Sequence, residues 1–384
     1  MVAALGTAQT LAWASSYYLP AMLAVPMAAD LGVSTPTVFA AFSAALVVSA
    51  LFGPHAGRAI DRWGGRPVLA GTSLVFALGL ASLSWAQGAD GLFGAWVLLG
   101  IAMGGGLYEA AFASLVRLQG HGSRNAITGI TLFAGFASTV GWPLSSWLEH
   151  EFGWRVACQV WAALHLLLGL PLNLALPRAA AEGASPKPAI GEAPAAPAPL
   201  AGALARRAGA LLALVFAVTW FISTAMAAHL PRLLQMNGAT AATSVAIGAL
   251  VGPAQVAGRL LEFGVLRHVH PLLSARLAAV MHPLGAAALA LLGGSWATLF
   301  AVLHGAGNGI LTIAKGTLPL VLFGPLGYGL RQGLLMVPAR MAQASAPWLF
   351  GLALDAWGAA ALWLSAGLAL AAAGALMALP RPPA

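Results

Sequence analysis

The sequence predicts an all-α polytopic membrane protein with twelve transmembrane helices in two pseudo-symmetric six-helix bundles. The prediction depends on composition, on the spacing of apolar segments and on the placement of basic residues. Of the 384 residues, 60% are hydrophobic and only 7% are charged, and the mean hydropathy is +0.86. An ordinary soluble domain is about 25% charged. So few charges could not cover a soluble surface, whereas a bilayer requires no such cover.

The apolar segments between Gly, Pro and charged residues have the length that a bilayer requires, about 20 residues. The first segment has no compact basic start and no cleavage site, so we expect it to be retained rather than removed as a signal peptide. The predicted spans are about 4–28, 35–59, 67–87, 91–116, 125–148 and 154–177 in the first half, and about 209–235, 240–263, 274–294, 296–322, 330–353 and 358–378 in the second.

A connector separates two groups of six spans. Residues 178–207 are rich in Ala and Pro and have no apolar face to bury, which is typical of a flexible linker. We therefore expect an N-terminal six-helix bundle over 1–177, the linker over 178–207 and a C-terminal six-helix bundle over 208–384.

The basic residues in the short loops predict the orientation, because cytoplasmic loops of membrane proteins carry an excess of Lys and Arg. With a cytoplasmic N-terminus, the other side of the membrane receives only Arg155 and Arg232. We therefore expect a multi-pass protein of the bacterial inner (plasma) membrane with both termini cytoplasmic, and the basic pI requires no nucleic-acid partner. The cytoplasmic side receives Arg58, Arg62, Arg66, Arg117, Arg124, Arg178, Lys187, Arg206, Arg207, Arg259, Arg267, Arg276, Arg331 and Arg381.

The two halves contain a related motif. Residues 53–61 read GPHAGRAID and residues 252–262 read GPAQVAGRLLE, so both have Gly-Pro, then Gly-Arg, two further residues and an acid. Weak internal similarity of this kind is typical of transporters built from parallel repeats.

The segment 57–66, GRAIDRWGGR, resembles the loop between helices 2 and 3 in the major facilitator superfamily, with Gly65 as an extra glycine. The resemblance covers essentially the whole chain and implies two bundles that rock about a central site, giving alternating access. It also implies a cytoplasmic gate, for which a plain positive-inside anchor is the structural alternative. The gate residues would be Gly57, Arg58, Asp61, Arg62 and Arg66, with Gly258, Arg259 and Glu262 in the second repeat.

Three ionisable residues fall inside predicted spans, where a charge costs about 2.5 to 3.5 kcal/mol and is therefore a functional hypothesis. Glu109 lies in span 4, Lys315 in span 10 and Arg340 in span 11. Spans 4 and 10 are equivalent in the repeat, so a pseudo-two-fold axis would place Glu109 and Lys315 across one cavity. Glu109 is either a proton-coupling group or a permanent structural partner of Lys315.

Polar residues recur with helical spacing along several spans, and they fall in helices that line the cavity in the resembled family. The N-terminal stripe is Gln9, Trp13, Ser16 and Pro20, with Tyr17 beside it. His165 and His282 each stand alone in mid-span, so we expect packing roles for both. The candidate substrate-binding residues are Lys315, Arg340, Asn308, His304, Thr312, Gln343, Tyr17 and Gln9.

The two intramembrane cations favour an anionic substrate, because an arriving carboxylate relieves the cost of burying them. The leading hypothesis is a secondary active transporter, monomeric, that moves a small organic anion such as a monocarboxylate with protons or in exchange. Efflux of amphipathic drugs or toxic small molecules is the main alternative. Copper transport and a non-transporting membrane receptor are minor ones. The sequence contains no cofactor, metal-enzyme or nucleophile motif, so we do not expect an enzyme.

The orientation can be tested by cysteine labelling in a background that lacks Cys158, the single cysteine. A cysteine at Ser185 should react with a membrane-impermeant maleimide only in inverted vesicles, and one at Ala89 only in intact cells, because the basic loops define the cytoplasmic side. Labelling of position 185 from outside intact cells would reverse the orientation.

Overall fold

The computed structural model describes residues 1–178 and 199–380 and contains only helices in that part of the chain. Most of the predicted linker, including Lys187, lies outside the described residues. The α-helices are α1 (Val2–Ala14), α2 (Pro20–Leu31), α3 (Thr35–Trp63), α4 (Gly65–Ser84), α5 (Gly88–Gly106), α6 (Tyr108–Gln119), α7 (Arg124–Ala134), α8 (Ala137–Phe152), α9 (Trp154–Leu164), α10 (Leu170–Leu174), α11 (Gly202–Met236), α12 (Ala241–Ala249), α13 (Val251–Gly264), α14 (Pro271–Leu292), α15 (Ala297–Phe323), α16 (Tyr328–Trp357) and α17 (Ala361–Met377).

These helices form twelve crossings. In the described residues, nine segments are long and apolar enough to span a bilayer, and two of them, with 65 and 50 residues, are long enough to cross twice. The pairs α1 with α2, α5 with α6, α7 with α8, α9 with α10, and α12 with α13 each make one interrupted crossing. The seventh crossing begins earlier than expected, because α11 starts at Gly202, inside the predicted linker.

The described chain divides into two compact units. The first unit contains residues 1–178, 199–200 and 322–334, and the second contains 201–321 and 335–380. The end of α15 and the start of α16 therefore belong to the first unit, although they lie in the C-terminal half of the sequence.

The first crossing is interrupted, whereas the sequence predicts a single helix. The helix α1 ends at Ala14, and α2 begins at Pro20. Because proline has no N–H, it cannot continue the hydrogen-bond ladder. The amide of Tyr18 bonds instead to the carbonyl of Trp13, five residues back, at 3.1 Å.

The motif at residues 57–66 is also more helical than expected. Instead of a loop, α3 continues through Asp61 to Trp63, and one residue, Gly64 with φ 83°, turns the chain directly into α4. A Cβ atom at the extra glycine, Gly65, would collide with the Ser114 hydroxyl on α6. Both consecutive glycines are therefore required, Gly64 for its left-handed backbone and Gly65 for close packing.

Glycines bring the helix backbones together in both units. Cβ atoms at Gly100 and Gly104 on α5 would meet the carbonyls of Ala45 and Ser49 on α3. In the second unit, a Cβ atom at Gly258 on α13 would meet the carbonyl of Ala306 on α15. Gly104 begins the run Gly104-Gly105-Gly106, and small residues of this kind allow membrane helices to pack at short distance.

The two arginines that the sequence assigns to the outer side are both paired with acids. Arg155 bonds to Asp30 at 2.9 Å and donates to the carbonyls of Ser84 and Ala86. Arg232 pairs with Asp355 at 2.6 Å. Each arginine therefore has a local structural role that explains its position.

The glycine contact between α13 and α15 can be tested with Gly258→Ala. The added methyl group must displace the backbone of α15, and such overpacking costs about 1 to 3 kcal/mol. Gly248→Ala is the matched control, because a Cβ atom there meets nothing within 4 Å and alanine favours helix. Thermal unfolding in detergent should show a lowered Tm for Gly258→Ala alone. Equal Tm values for the two variants would contradict the close approach.

Candidate functional site

Two buried cations of the second unit converge on one indole ring. The Nζ of Lys315 on α15 lies 4.1 Å from the ring centroid of Trp220 on α11, and the guanidinium carbon of Arg340 on α16 lies 5.3 Å from it. Lys315 is 5% exposed and Arg340 is 2% exposed. The electron-rich ring face stabilises each cation, but two like charges held this close also attract a negative group.

Gln343 extends this cluster, one helical turn beyond Arg340. Its Oε1 accepts a 2.9 Å hydrogen bond from Arg340, which fixes the orientation of the amide because a guanidinium can only donate. The fully buried Nε2 of Gln343 then has no hydrogen-bond partner among the described residues. A buried donor without an acceptor costs about 1 to 3 kcal/mol. The cluster Lys315, Arg340 and Gln343, called here the cationic cluster, therefore presents donors that suit an anion.

The polar residues of α15 recur with helical spacing but make different contacts. They are His304, Asn308, Thr312 and Lys315. Asn308 donates to the hydroxyl of Ser223 on α11 at 3.0 Å. The Thr312 hydroxyl donates to the carbonyl of Asn308 at 2.8 Å, a bond within its own helix. Asn308 thus links α15 to α11, while the side chain of Thr312 satisfies its hydroxyl locally.

His282 is not alone, contrary to the sequence expectation. Its Nδ1 lies 3.0 Å from Nδ1 of His304, and its Nε2 lies 3.1 Å from the Ser365 hydroxyl. The two histidines are 22 residues apart on α14 and α15, so no local spacing could have paired them. His165, by contrast, bonds to Ser15 at 2.8 Å and stacks on Phe76, a packing arrangement.

Gln9 and Glu109 lie at the break between α5 and α6 in the first unit. The side-chain amide of Gln9 donates to the carbonyl of Gly106 at 2.7 Å, which satisfies a carbonyl at the interruption. Glu109 is half-buried in the first turn of α6, where the helix dipole favours a negative carboxylate. The Nε2 of Gln9, predicted as a substrate contact, is thus engaged with the protein itself.

Tyr17 belongs to an aromatic cluster in the first unit. Its ring centroid lies 5.3 Å from Trp13 and 5.6 Å from Phe42. Trp13 also contacts Tyr108, at 4.8 Å, and Tyr18 at 6.3 Å. These edge and tilted contacts form an apolar surface with polar tips.

Asp61 binds the beginning of α16. Its two carboxylate oxygens accept 2.8 Å hydrogen bonds from the backbone amides of Gly329 and Leu330, the first free N–H groups of that helix. A Cβ atom at Gly57 would collide with the Gly329 carbonyl, so the glycine is required for this contact. Arg331 lies within electrostatic range of Asp61. This arrangement, the Asp61 clasp, joins α3 to α16 within the first unit.

The other motif residues are arranged differently. Arg58 and Arg62 are exposed, and Arg62 lies 5.8 Å from the ring of Trp63, while Arg66 is half-buried. In the second repeat, Arg259 and Glu262 are both buried, one turn apart on α13. The related motifs of the two halves therefore have different surroundings.

Sequence reasoning did not connect Trp220 with the two cations, and it did not identify which helix start receives Asp61. Trp220 follows Thr219 on α11, but a tryptophan in an apolar span does not by itself indicate contact with distant cations. The Gly-rich run at 324–329 could have indicated a helix start close to another backbone. In the described residues, no three His, Cys, Asp or Glu side chains are grouped as metal ligands.

The Asp61 clasp can be tested by hydrogen exchange with Asp61→Asn. The asparagine places an N–H donor against a helix amide, so the amides of Gly329 and Leu330 should exchange at least about tenfold faster, since such charge-assisted bonds contribute about 1.5 kcal/mol or more. Asp90→Asn is the control, because Asp90 is an exposed acid in the first turn of its own helix. Unchanged exchange at 329–330 would show that the clasp does not hold this helix start.

Comparisons with known proteins agree with the fold. A family model described as Major Facilitator Superfamily matches residues 5–314. No curated protein is significantly similar in sequence. Similar solved structures include the human organic anion transporter TETRAN, with 19% identity, a TM-score of 0.67 and 98% of each chain covered. The E. coli fucose:proton symporter FucP has 15% identity and a TM-score of 0.72, with 99% of this chain and 98% of that chain covered.

The proton:xylose symporter XylE is also similar, with 13% identity and a TM-score of 0.70, over 99% of this chain and 94% of that chain. Identities this low show a shared fold and nothing about the transported compound. The match of the family model covers most of the sequence, and the helical architecture is that of these transporters. The chain belongs to the major facilitator superfamily.

Proposed function

We propose that this protein is a secondary active transporter that moves a small organic anion, with monocarboxylates as the leading class, by alternating access. The observation that carries the proposal is the cationic cluster, in which Lys315 and Arg340 meet at Trp220 and the Nε2 of Gln343 has no acceptor among the described residues. All three groups are hydrogen-bond donors in this arrangement. A carboxylate offers two acceptor oxygens and one negative charge, and so complements the cluster.

The electrostatic balance supports an anion over a neutral sugar. Two positive charges at one indole repel each other, and burial weakens the screening that water would supply. A bound anion reduces this repulsion and replaces lost hydration with charge-assisted hydrogen bonds. A neutral hydroxylated compound would satisfy the Gln343 amide but would leave the repulsion between Lys315 and Arg340 unchanged.

The Asp61 clasp supplies a contact that can be made in one state and lost in another. Its carboxylate is held by two backbone amides and no covalent link, so a modest free energy separates the bound and released forms. We propose that its release accompanies the conformational change. Arg331 and the exposed arginines Arg58 and Arg62 are then the cations available to Asp61 in the released form.

Coupling to protons or exchange of anions would drive transport. Among the similar structures, FucP and XylE are named as proton symporters and TETRAN as an organic anion transporter. Glu109 is a candidate coupling group, because its half-buried carboxyl group lies at the break between α5 and α6 in the first unit. From the distribution of basic loops we place the transporter in the bacterial inner membrane with cytoplasmic termini. We further propose that it acts as a monomer.

Efflux of amphipathic compounds is the second candidate, and the aromatic cluster favours it. Trp13, Tyr17, Tyr18 and Phe42 lie in mutual contact in the first unit. Such a surface binds flat apolar molecules without requiring a charge. The two functions differ in which cluster supplies most of the binding free energy.

Lys315→Ala and Arg340→Ala should each weaken anion binding by about 30-fold or more, because removing one member of a buried charged pair costs about 2 kcal/mol or more. Lys315→Arg should recover part of the loss, since it keeps the charge but changes the geometry. Arg267→Ala is the matched control, a cation stacked on Phe263 at 5.6 Å on an exposed part of the same unit. Binding is measured by the thermal shift of purified protein with lactate, pyruvate and oxalate.

A ligand present at 100 times its Kd should add about 2.7 kcal/mol to the apparent stability. The same screen includes neutral sugars and cationic amphipathic drugs. A neutral or cationic compound that stabilises the Lys315→Ala, Arg340→Ala double variant as much as the wild-type protein would refute anion transport and favour efflux.

A further inference from the structure

A small cavity in the second unit is lined by α11, α14, α15 and α17. Its volume is about 30 Å³, which is room for about two water molecules. Most of the wall is apolar, but one part of it carries the polar side chains Thr219, His282, His304 and Asn308. These four side chains are the groups to which a water molecule in the cavity would hydrogen-bond.

A chain of hydrogen bonds leads from this cavity into the packed interior, and it fixes the tautomer of each histidine. The Ser365 hydroxyl donates its only proton to the carbonyl of Leu362 at 2.8 Å. It must therefore accept from Nε2–H of His282, 3.1 Å away. Neutral His282 then has a lone pair on Nδ1, so His304 donates its Nδ1–H to it at 3.0 Å.

These assignments leave the Nε2 lone pair of His304 available. Within the described ranges, no hydrogen-bond partner approaches this nitrogen, and His304 lines the cavity. A proton added to His304 Nε2 would leave every bond in the chain intact, because Nδ1–H continues to donate to His282. A second proton, on Nδ1 of His282, would place two N–H donors face to face. The pair therefore accepts one proton and resists a second.

We propose that Ser365, His282 and His304 form a proton relay, with His304 Nε2 as the atom that takes up the proton driving transport from cavity water. The proposal rests on proton-coupled transport, but the relay is defined by its own hydrogen bonds. The positive charge formed is stabilised by the second imidazole and by water in the cavity. The relay is a proton site in the second unit that is separate from Glu109 in the first.

The other ionisable groups on the surrounding helices lie away from the relay or bond elsewhere. In the described part of the chain, no further ionisable side chain lines the cavity. Lys315 lies eleven residues beyond His304 on α15, about 16 Å along the axis. On α14, Arg276 bonds to the carbonyl of Leu376. On α11, His229 bonds to a carbonyl of α16, and the arginines lie near the helix ends. The helix α17 carries no ionisable residue.

The relay can be tested by NMR of purified protein containing ring-¹⁵N histidine, with signals assigned by His304→Gln and His282→Gln. At alkaline pH, His304 should be the Nδ1–H tautomer and His282 the Nε2–H tautomer. On acidification, the pair should bind one proton, at His304 Nε2. In His282→Gln, the Nδ1–H preference of His304 should disappear. His165→Gln, which removes a buried histidine bonded to a single serine, should leave both signals unchanged.

Transport in proteoliposomes tests the role of the relay, with radiolabelled lactate, pyruvate and oxalate as probes. For variants with wild-type Tm, His304→Gln should lose accumulation driven by a pH gradient and keep anion exchange, and His165→Gln should keep both. Full gradient-driven accumulation by His304→Gln would overturn the relay, as would an Nε2–H tautomer at His304 or two-proton binding. If the wild-type protein moves no anion although NMR shows the one-proton pair, the proposed substrate is wrong and the relay stands.

Discussion

The structure depends on one constraint of the bilayer: inside it, a backbone group that leaves the helical ladder must find a protein partner, because no bulk water is available. The breaks in the crossings show how this is met. Gln9 bonds to the carbonyl of Gly106 at the break between α5 and α6. At the start of a crossing, Asp61 accepts from the two amides of Gly329 and Leu330 that begin α16. Polar side chains are thus divided between those that bond to free backbone groups and those that remain for function.

Whether a polar side chain already bonds to the backbone distinguishes the candidate functional residues better than residue type does. The Nε2 of Gln9 and the hydroxyl of Thr312 are directed to backbone carbonyls, so much of their hydrogen-bonding capacity is already used. The Nε2 of Gln343 and of His304 each lack a partner among the described residues. The first is a donor and the second is an acceptor. In the proposed mechanism, these two atoms of the second unit have complementary roles, one toward an acceptor oxygen of the anion and the other toward a proton.

Much of the architecture could be predicted from the sequence, because each crossing is a long apolar segment and its burial in lipid is a local property. The helix breaks could be predicted only in part, since they depend on Pro20 and on the run ending at Gly106 together with distant partners. The candidate functional site was harder to predict from the sequence. The spacing on α15 indicated the stripe of Asn308 and Lys315, but the contacts of Trp220 join residues on three helices. No single-helix periodicity contains that information.

The two repeats share a motif, but its residues make different contacts in each. The difference follows from the backbone that packs against the motif's glycine. Gly57 admits the start of α16, and the nearby Asp61 can then reach its free amides. The corresponding Gly258 instead admits the middle of α15 at Ala306, where every amide is already bonded within the helix. The acid of that repeat, Glu262, is buried on α13. One repeat therefore binds a helix start through its acid, and the other packs its glycine against the middle of a helix.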